Sequence, residues 1–292
     1  MTILVAHRQH SRRFEEFKYV YPVLSRRSHG ISIGLNVNPD KACNFDCIYC
    51  QVDRTTESAV KKFDLSVAEQ ELREMLEMVR SGEIAQHPPF NSVPRELIRL
   101  NDIALSGDAE PTTLPNFSET IQMIARVKTP EAKIVLITDA GGLDRPDVKR
   151  GLEIMDANNG EVWAKLDAGT EEYFKLINRT KIPFTRILRN ISHAAKIRPI
   201  VIQSLFLKIR GIGPSDKEIA AFCQRLREIG NINPARSGLK LVQVYTVARK
   251  AMTVVDGVPA WQFVSALSNE EVDAIAERVR KEAGVKAESF YG

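Results

Sequence analysis

The chain has 292 residues, 43% of them hydrophobic and 27% charged, proportions of a soluble globular protein that exclude collagenous, low-complexity and largely disordered classes. Its net charge of +4 comes wholly from residues 1–30, where Arg8, Arg12, Arg13, Lys18, Arg26 and Arg27 face only Glu15 and Glu16; a uniformly basic coat for nucleic acid is excluded, a local basic patch is not. No apolar run is long enough to cross a bilayer and the amino terminus is too short in apolar residues for a secretory signal, so a cytoplasmic location without a membrane partner is expected.

In chain order, a basic segment over 1–30 leads into a core expected to form one domain over 31–292. Apolar residues alternate or cluster over 31–37, which reads as a strand, and a loop carrying Cys43, Cys47 and Cys50 follows. Ser66-Val67-Ala68-Glu69 has the form of a capping box, in which serine and glutamate oxygens take free amide donors, so a helix is expected from there to Gly82. Residues 88–91 read as a loop, 102–105 as the second strand and 116–127 as a helix. Strands are expected over 133–138 and 162–167, with helices after Pro146, Thr170 and Thr185. Strands over 199–208 and 239–247 complete a set of six. Between them Ser215-Asp216-Lys217-Glu218 repeats the capping device, and past a loop at 258–261 a last helix runs from Ser268 to Glu282. Strands separated by helices need crossover connections, which favour an α/β fold with a parallel sheet covered by helices. In such folds the chemistry gathers just after the carboxyl ends of the strands.

Three of the four cysteines crowd into one loop after the first strand, Cys43-Asn44-Phe45-Asp46-Cys47-Ile48-Tyr49-Cys50, too few and too close for a disulfide framework. Thiolates at that spacing can take three corners of a cubane iron–sulfur cluster and leave one iron without a protein ligand. The alternatives are zinc, which would need a fourth ligand from a distant His29 or Cys223, or three inert thiols. Cys223 lies in an amphipathic stretch and reads as a packed thiol, and His87 and His193 have no neighbouring ligand pattern.

With Tyr49 before the last cysteine, the loop resembles the signature of the radical S-adenosylmethionine superfamily. The resemblance implies a partial (βα)6 parallel barrel of that type, a [4Fe-4S] cluster on Cys43, Cys47 and Cys50, and S-adenosyl-L-methionine as cosubstrate. In that family the open iron chelates S-adenosylmethionine, and reductive cleavage yields a 5′-deoxyadenosyl radical that takes a hydrogen atom from substrate. Tyr49 would pack near the adenine. Ser106-Gly107-Asp108-Ala109-Glu110 looks like the family's glycine-rich stretch after the second strand, which makes Gly107, Asp108 and Glu110 candidates for holding the methionyl end; Asp108-Ala109 stands between the glycine and the glutamate where the familiar form has two glycines. Thr138, Asp167 and Ser204, at strand levels where the family places polar groups for ribose and carboxylate, are further candidates; turn and strand-end capping accounts for the same residue types. Lys165 reads as an ion-pair partner, a carboxylate clamp or a residue whose tip reaches solvent.

A narrower resemblance rests on Tyr19-Val20-Tyr21-Pro22, Glu110-Pro111-Thr112, Leu166-Asp167-Ala168-Gly169, Ile177-Asn178-Arg179 and Tyr245-Thr246-Val247-Ala248-Arg249. These are similar to the group that contains the tRNA 4-demethylwyosine synthases. That group holds a second cluster on three further cysteines, and only Cys223 is left over here, so a changed substrate is expected: tRNA or another polyanion, or a small metabolite. No flavodoxin-like segment is present, so a separate flavodoxin or ferredoxin-like protein is the expected electron donor. Arg26, Arg27, Asn178, Arg179, Tyr245 and Arg249 are the candidate substrate lining. Two other readings stand beside this one, a radical activase of a protein partner and a non-catalytic metal- or RNA-binding module.

Overall fold

Val20–Ser25 (β1) and Gly30–Leu35 (β2) pair antiparallel, with Pro22 opposite Ile33. The computed structural model describes Ala6, Arg12 and residues 14–27, 29–230 and 238–291, and the chain divides into two compact units. The first comprises Met1–Ala42, Ser58–Ile137 and Arg145–Glu161; the second comprises Cys43–Glu57, Thr138–Asp144 and Val162–Gly292.

In the first unit β2 runs parallel to β3 (Leu100–Leu105), and β3 parallel to β4 (Lys133–Thr138). Ile31, Ile33 and Leu35 of β2 and Ile103 and Leu105 of β3 are fully buried, as expected of strands in a parallel sheet. Strand β1 is not among the elements the periodicity predicts. Its Pro22 argues against a central strand, but on a sheet edge the missing amide costs no ladder bond. The strand's approach is fixed by buried Glu71 of α1 (Leu65–Ser81), whose carboxylate accepts from the backbone amides of Lys18, Tyr19 and Val20 at 2.8, 2.9 and 3.1 Å. Helix α1 stops at Gly82, as expected, in a left-handed conformation with φ of 80°. Its start differs from expectation: Asp64 is the N-cap, accepting from the amides of Ser66 and Val67 at 2.9 and 3.1 Å, so Ser66 lies inside the first turn. A carboxylate two residues upstream reaches those donors and the serine box is not used. Helices α2 (Phe117–Val127) and α3 (Pro146–Asp156) belong to the same unit.

The second unit carries β5 (Gly160–Lys165) from Val162 onward, β6 (Pro199–Ile209), β7 (Gly238–Thr246) and β11 (Ala287–Phe290), each parallel to the next, and β10 (Val264–Ala266) antiparallel on β6. Its helices are α4 (Glu171–Asn178), α5 (Phe184–Ile197), α6 (Asp216–Gly230) and α7 (Asn269–Arg278). Ser268 and Glu271 form a full capping box at α7, and the helix passes through a π-turn over Val279–Ala283 before ending at Gly284. The stretch read as a loop at 258–261 contains a two-residue strand, β9 (Val258–Pro259), paired with β8 (Val254–Val255).

The second expected capping box is half made. Ser215 Oγ accepts from the Glu218 amide at 3.2 Å, but the Glu218 carboxylate turns away to accept from the Gly169 amide at 2.5 Å and from Thr170 Oγ1 at 2.6 Å. That bond pulls α6 against the turn after β5, where a Cβ on Gly169 would stand 2.1 Å from the Phe222 nitrogen and 2.5 Å from the Ala221 carbonyl carbon. Both are helix backbone and cannot rotate aside. Gly169→Ala should therefore destabilise the protein by about 1–3 kcal/mol or more, checked by thermal denaturation; a variant as stable as the parent would show that α6 is free to shift.

Candidate functional site

The cysteine loop, Cys43–Glu57 of the second unit, hangs on the end of α4. The Asp46 amide donates to the Asn178 carbonyl at 3.2 Å and the Ile48 amide to the Ile177 carbonyl at 2.9 Å. Arg179, left-handed at φ of 48°, ends the helix and pairs with Asp46 at 3.0 Å, while Thr180 Oγ1 donates to the Asn44 carbonyl at 2.8 Å. A second strap holds the other side of the loop. Thr253 Oγ1 donates to the Cys47 carbonyl at 2.9 Å and the Met252 amide to the Cys50 carbonyl at 2.7 Å. Ile48 and Tyr49 point into an apolar cluster with Ile177, Leu205, Leu207, Ala251, Ala260 and Val264. Burial of those side chains drives the loop onto the sheet and leaves the half-buried sulfurs of Cys43, Cys47 and Cys50 on it.

Two sulfurs receive side-chain donors. Asn178 Nδ2 donates to Cys47 Sγ at 3.4 Å and Arg54 Nη1 to Cys50 Sγ at 3.0 Å; Cys43 Sγ faces Asn44 Oδ1 at 3.7 Å. Burial works against the Arg54 guanidinium, but the neighbouring sulfurs, Cys50 foremost, outweigh it and raise its pKa. Burial, and after it the charge of Asp167, pushes the Cys47 thiol up to about 12. An unligated Cys47 is therefore a neutral thiol at neutral pH, and a metal would have to displace its proton.

Beneath the loop lies a polar network around Asp167, which is 2% exposed. Its carboxylate accepts from the Tyr49 hydroxyl, from Asn178 Nδ2 at 3.1 Å, from the Leu205 amide at 2.9 Å and from Lys165 Nζ at 3.3 Å. Lys165 also donates to the Tyr245 hydroxyl at 2.7 Å and stands 5.1 Å from the Tyr49 ring centre. Burial works against its ammonium, but Asp167 and Tyr245 outweigh it and hold the pKa above the usual lysine range. Of the three readings of Lys165, the ion pair is the one this geometry has. Tyr49, Asp167, Asn178, Tyr245 and the cysteine loop are thus brought together.

Several of the other candidates make hydrogen bonds within the fold. Strand alternation puts Leu205 and Leu207 of β6 on the face that meets Ile48 and Tyr49, and Gln203 with them. Ser204 shares the opposite face with Phe206, whose ring packs 5.2 Å from Phe222 of α6. Ser204 thus lies on the other side of β6 from Gln203, whose amide donates to Gln243 at 2.8 Å. Thr138 Oγ1 accepts from the Ala140 amide at 3.0 Å and the neighbouring Asp139 Oδ1 from the Gly141 amide at 2.7 Å, bonds of the turn that follows β4.

Gly107, Asp108 and Glu110 belong to the first unit. A Cβ on Gly107 would meet Asn36 Oδ1 at 2.4 Å, so the glycine permits a close approach to the end of β2. Asp108 accepts from Asn36 Nδ2 and from Arg12 Nη1, each at 2.7 Å, and Glu110 Oε1 accepts from the Thr112 amide at 3.0 Å. Arg26 and Arg27 occupy the turn between β1 and β2. Arg8 and Arg13 lie outside the described residues, and Arg12 is committed to its ion pair with Asp108. Arg54 is absent from the residues that sequence reasoning selects; a cation four residues beyond a run of thiolates was the signal available.

Among the described residues no group of three His, Cys, Asp or Glu side chains is spaced to hold a single metal ion. The fit to a cluster rests on the donor chemistry: three soft sulfur ligands on one loop, with nitrogen donors on two of them. That set suits iron–sulfur ligation.

The family model described as Radical SAM superfamily matches residues 37–223. UPF0026 protein MJ1312 of Methanocaldococcus jannaschii is 29% identical over 163 residues, 54% of this chain and 43% of that protein. The chain therefore spans less than half the length of that curated relative. Among solved structures, TYW1 with a lysine-pyruvate adduct bound superposes with a TM-score of 0.55 at 16% identity, covering 87% of this chain and 74% of that one. A point mutant of spore photoproduct lyase superposes with a TM-score of 0.57 at 10% identity, covering 94% and 79%. The chain belongs to the radical SAM superfamily, with its α/β, mostly parallel partial-barrel fold. A [4Fe-4S] cluster and S-adenosyl-L-methionine are the cofactors of that superfamily.

Proposed function

We propose that this radical SAM protein is an enzyme that holds a [4Fe-4S] cluster on Cys43, Cys47 and Cys50 and cleaves S-adenosylmethionine reductively to modify a substrate. The observation that carries the reading is the sulfur environment: three cysteines on one doubly strapped loop, with Arg54 and Asn178 donating to two of them. With one electron from an external donor, a bound cluster and cosubstrate would supply a 5′-deoxyadenosyl radical, methionine being the other product, to take a hydrogen atom from substrate. The residues of the chain do the rest. The straps from α4 and from Met252 and Thr253 fix the three sulfurs relative to one another. Ile48 and Tyr49 close the inner side of the loop with apolar surface, which keeps water from reactive species.

For the cosubstrate we assign Tyr49, Gly107, Asp108, Glu110, Thr138 and Asp167, with Gln203 in place of Ser204. Support differs among them. Glu110 is a buried carboxylate, suited to an ammonium group, and like Thr138 and Asp108 it also serves bonds within the fold. A flavodoxin or ferredoxin-like protein is the proposed electron donor. As substrate we place tRNA or another polyanion ahead of a small metabolite, on the basic residues of 1–30; the ion pair of Arg12 takes one of those cations out of play.

The test is anaerobic reconstitution with iron and sulfide, then reductant and S-adenosylmethionine, with 5′-deoxyadenosine measured by chromatography and mass spectrometry. Formation of 5′-deoxyadenosine above the cluster-free control is expected. Its absence from protein carrying about four irons per chain would overturn the reading.

A further inference from the structure

We infer that Arg54 and Asn178 are positioning residues that set the reduction potential of the cluster, Arg54 through Cys50 and Asn178 through Cys47. The inference rests on the proposed cluster and concerns only this chain's own groups. Arg54 Nη1 stands 3.0 Å from Cys50 Sγ and Asn178 Nδ2 3.4 Å from Cys47 Sγ. Asn178 is held from several sides. It is 2% exposed, its backbone carbonyl accepts from Asp46, and its amide is oriented by Asp167 at 3.1 Å, which in turn is held by the Leu205 amide at 2.9 Å. Lys165, 3.3 Å from Asp167, offsets the carboxylate charge that would otherwise act on Cys47.

The physical effect has one sign. A donor to a ligating sulfur withdraws charge and favours the reduced, more negative state, and a full positive charge does so more strongly than an amide dipole. With three thiolates the site is anionic in both states, so the cation matters at every point of the redox cycle. Arg54 should therefore raise the potential more than Asn178, and losing either should make the cluster harder to reduce. The arrangement also divides the labour. Arg54 lies on the cysteine loop itself, while Asn178 reaches it from α4.

The test is an EPR-monitored redox titration of reconstituted wild-type protein, Arg54→Gln, Arg54→Lys and Asn178→Ala, with iron and sulfide measured on each sample. At a fixed potential the reduced-to-oxidised ratio should fall about tenfold in Arg54→Gln, which is 59 mV for one electron. The fall should be smaller in Asn178→Ala, and Arg54→Lys should recover most of the loss. Equal potentials in wild type, Arg54→Gln and Asn178→Ala at full iron content would overturn the inference while leaving the cluster reading intact. A wild-type protein that takes up no cluster would instead overturn that reading. A second measurement needs no variant. With 15N-arginine labelling, pulsed EPR of the reduced wild-type cluster should show one coupled arginine nitrogen, and its absence would count against Arg54 whatever the variants do.

Discussion

Cys47→Ala should give a folded protein that holds no four-iron cluster and forms no 5′-deoxyadenosine above background. With one of three ligands gone, an iron loses its only protein anchor, and the loss should exceed the roughly 10–100-fold effect of disturbing an outer-shell partner at a metal site. The loop itself should survive. Its bonds to Ile177, Asn178, Met252 and Thr253 run through backbone atoms of the loop, and Ile48 and Tyr49 stay in their apolar cluster. Iron content, the visible absorption of the reconstituted protein and its circular dichroism separate loss of cluster from loss of fold. The internal control is Cys223→Ala. Cys223 is fully buried in α6, so its loss should cost about 1 kcal/mol of packing and leave the iron content unchanged. A Cys47→Ala protein with full iron content, or a Cys223→Ala protein without iron, would show that the ligands have been misassigned.

Asp167→Ala should be among the most destabilising single changes in the second unit. The carboxylate is the shared acceptor for Tyr49, Asn178, the Leu205 amide and Lys165, and truncation leaves those donors and one cation without it. Removing one member of a buried charged pair costs about 3–5 kcal/mol, and at about 2–4 °C per kcal/mol the midpoint should fall by roughly 6–20 °C. Asp167→Asn keeps the volume and one acceptor oxygen and should cost less. Combining Lys165→Met with Asp167→Asn should cost less than the sum of the two single changes, because the cation and its counter-charge leave together. Denaturation midpoints of the four proteins decide the matter. Additive losses, or an Asp167→Ala protein within about 1 kcal/mol of wild type, would show that the network is not coupled as its geometry indicates.

The six strands read from periodicity all formed, because buried parallel strands write their burial directly into the sequence as apolar runs such as 133–138 and 199–208. Edge and closing elements were hidden. β1 carries a proline, β11 is four residues long, and β10 pairs antiparallel to β6 from a distant stretch. Their strand character comes from the neighbours they meet. Helix ends were legible where a cap lies within the local sequence, as at Gly82 and Ser268, and misread where a long-range partner or a nearer carboxylate intervened, as at Glu218 and Asp64.

The sequence by itself placed the proposed ligands together, because thiolates that must reach one cluster have to lie close along a single loop, and Cys43, Cys47 and Cys50 do. It also determined the class of fold and pointed to Tyr49 and Asp167. Only the tertiary structure decided what surrounds the sulfurs. Asn178 is more than a hundred residues from Cys47, and Lys165 is 80 from Tyr245, so no local pattern records their meeting. It also decided which side of β6 a side chain takes: a period of two gives alternation, but only packing on Tyr49 or on α6 says which residue, Gln203 or Ser204, faces the cysteine loop.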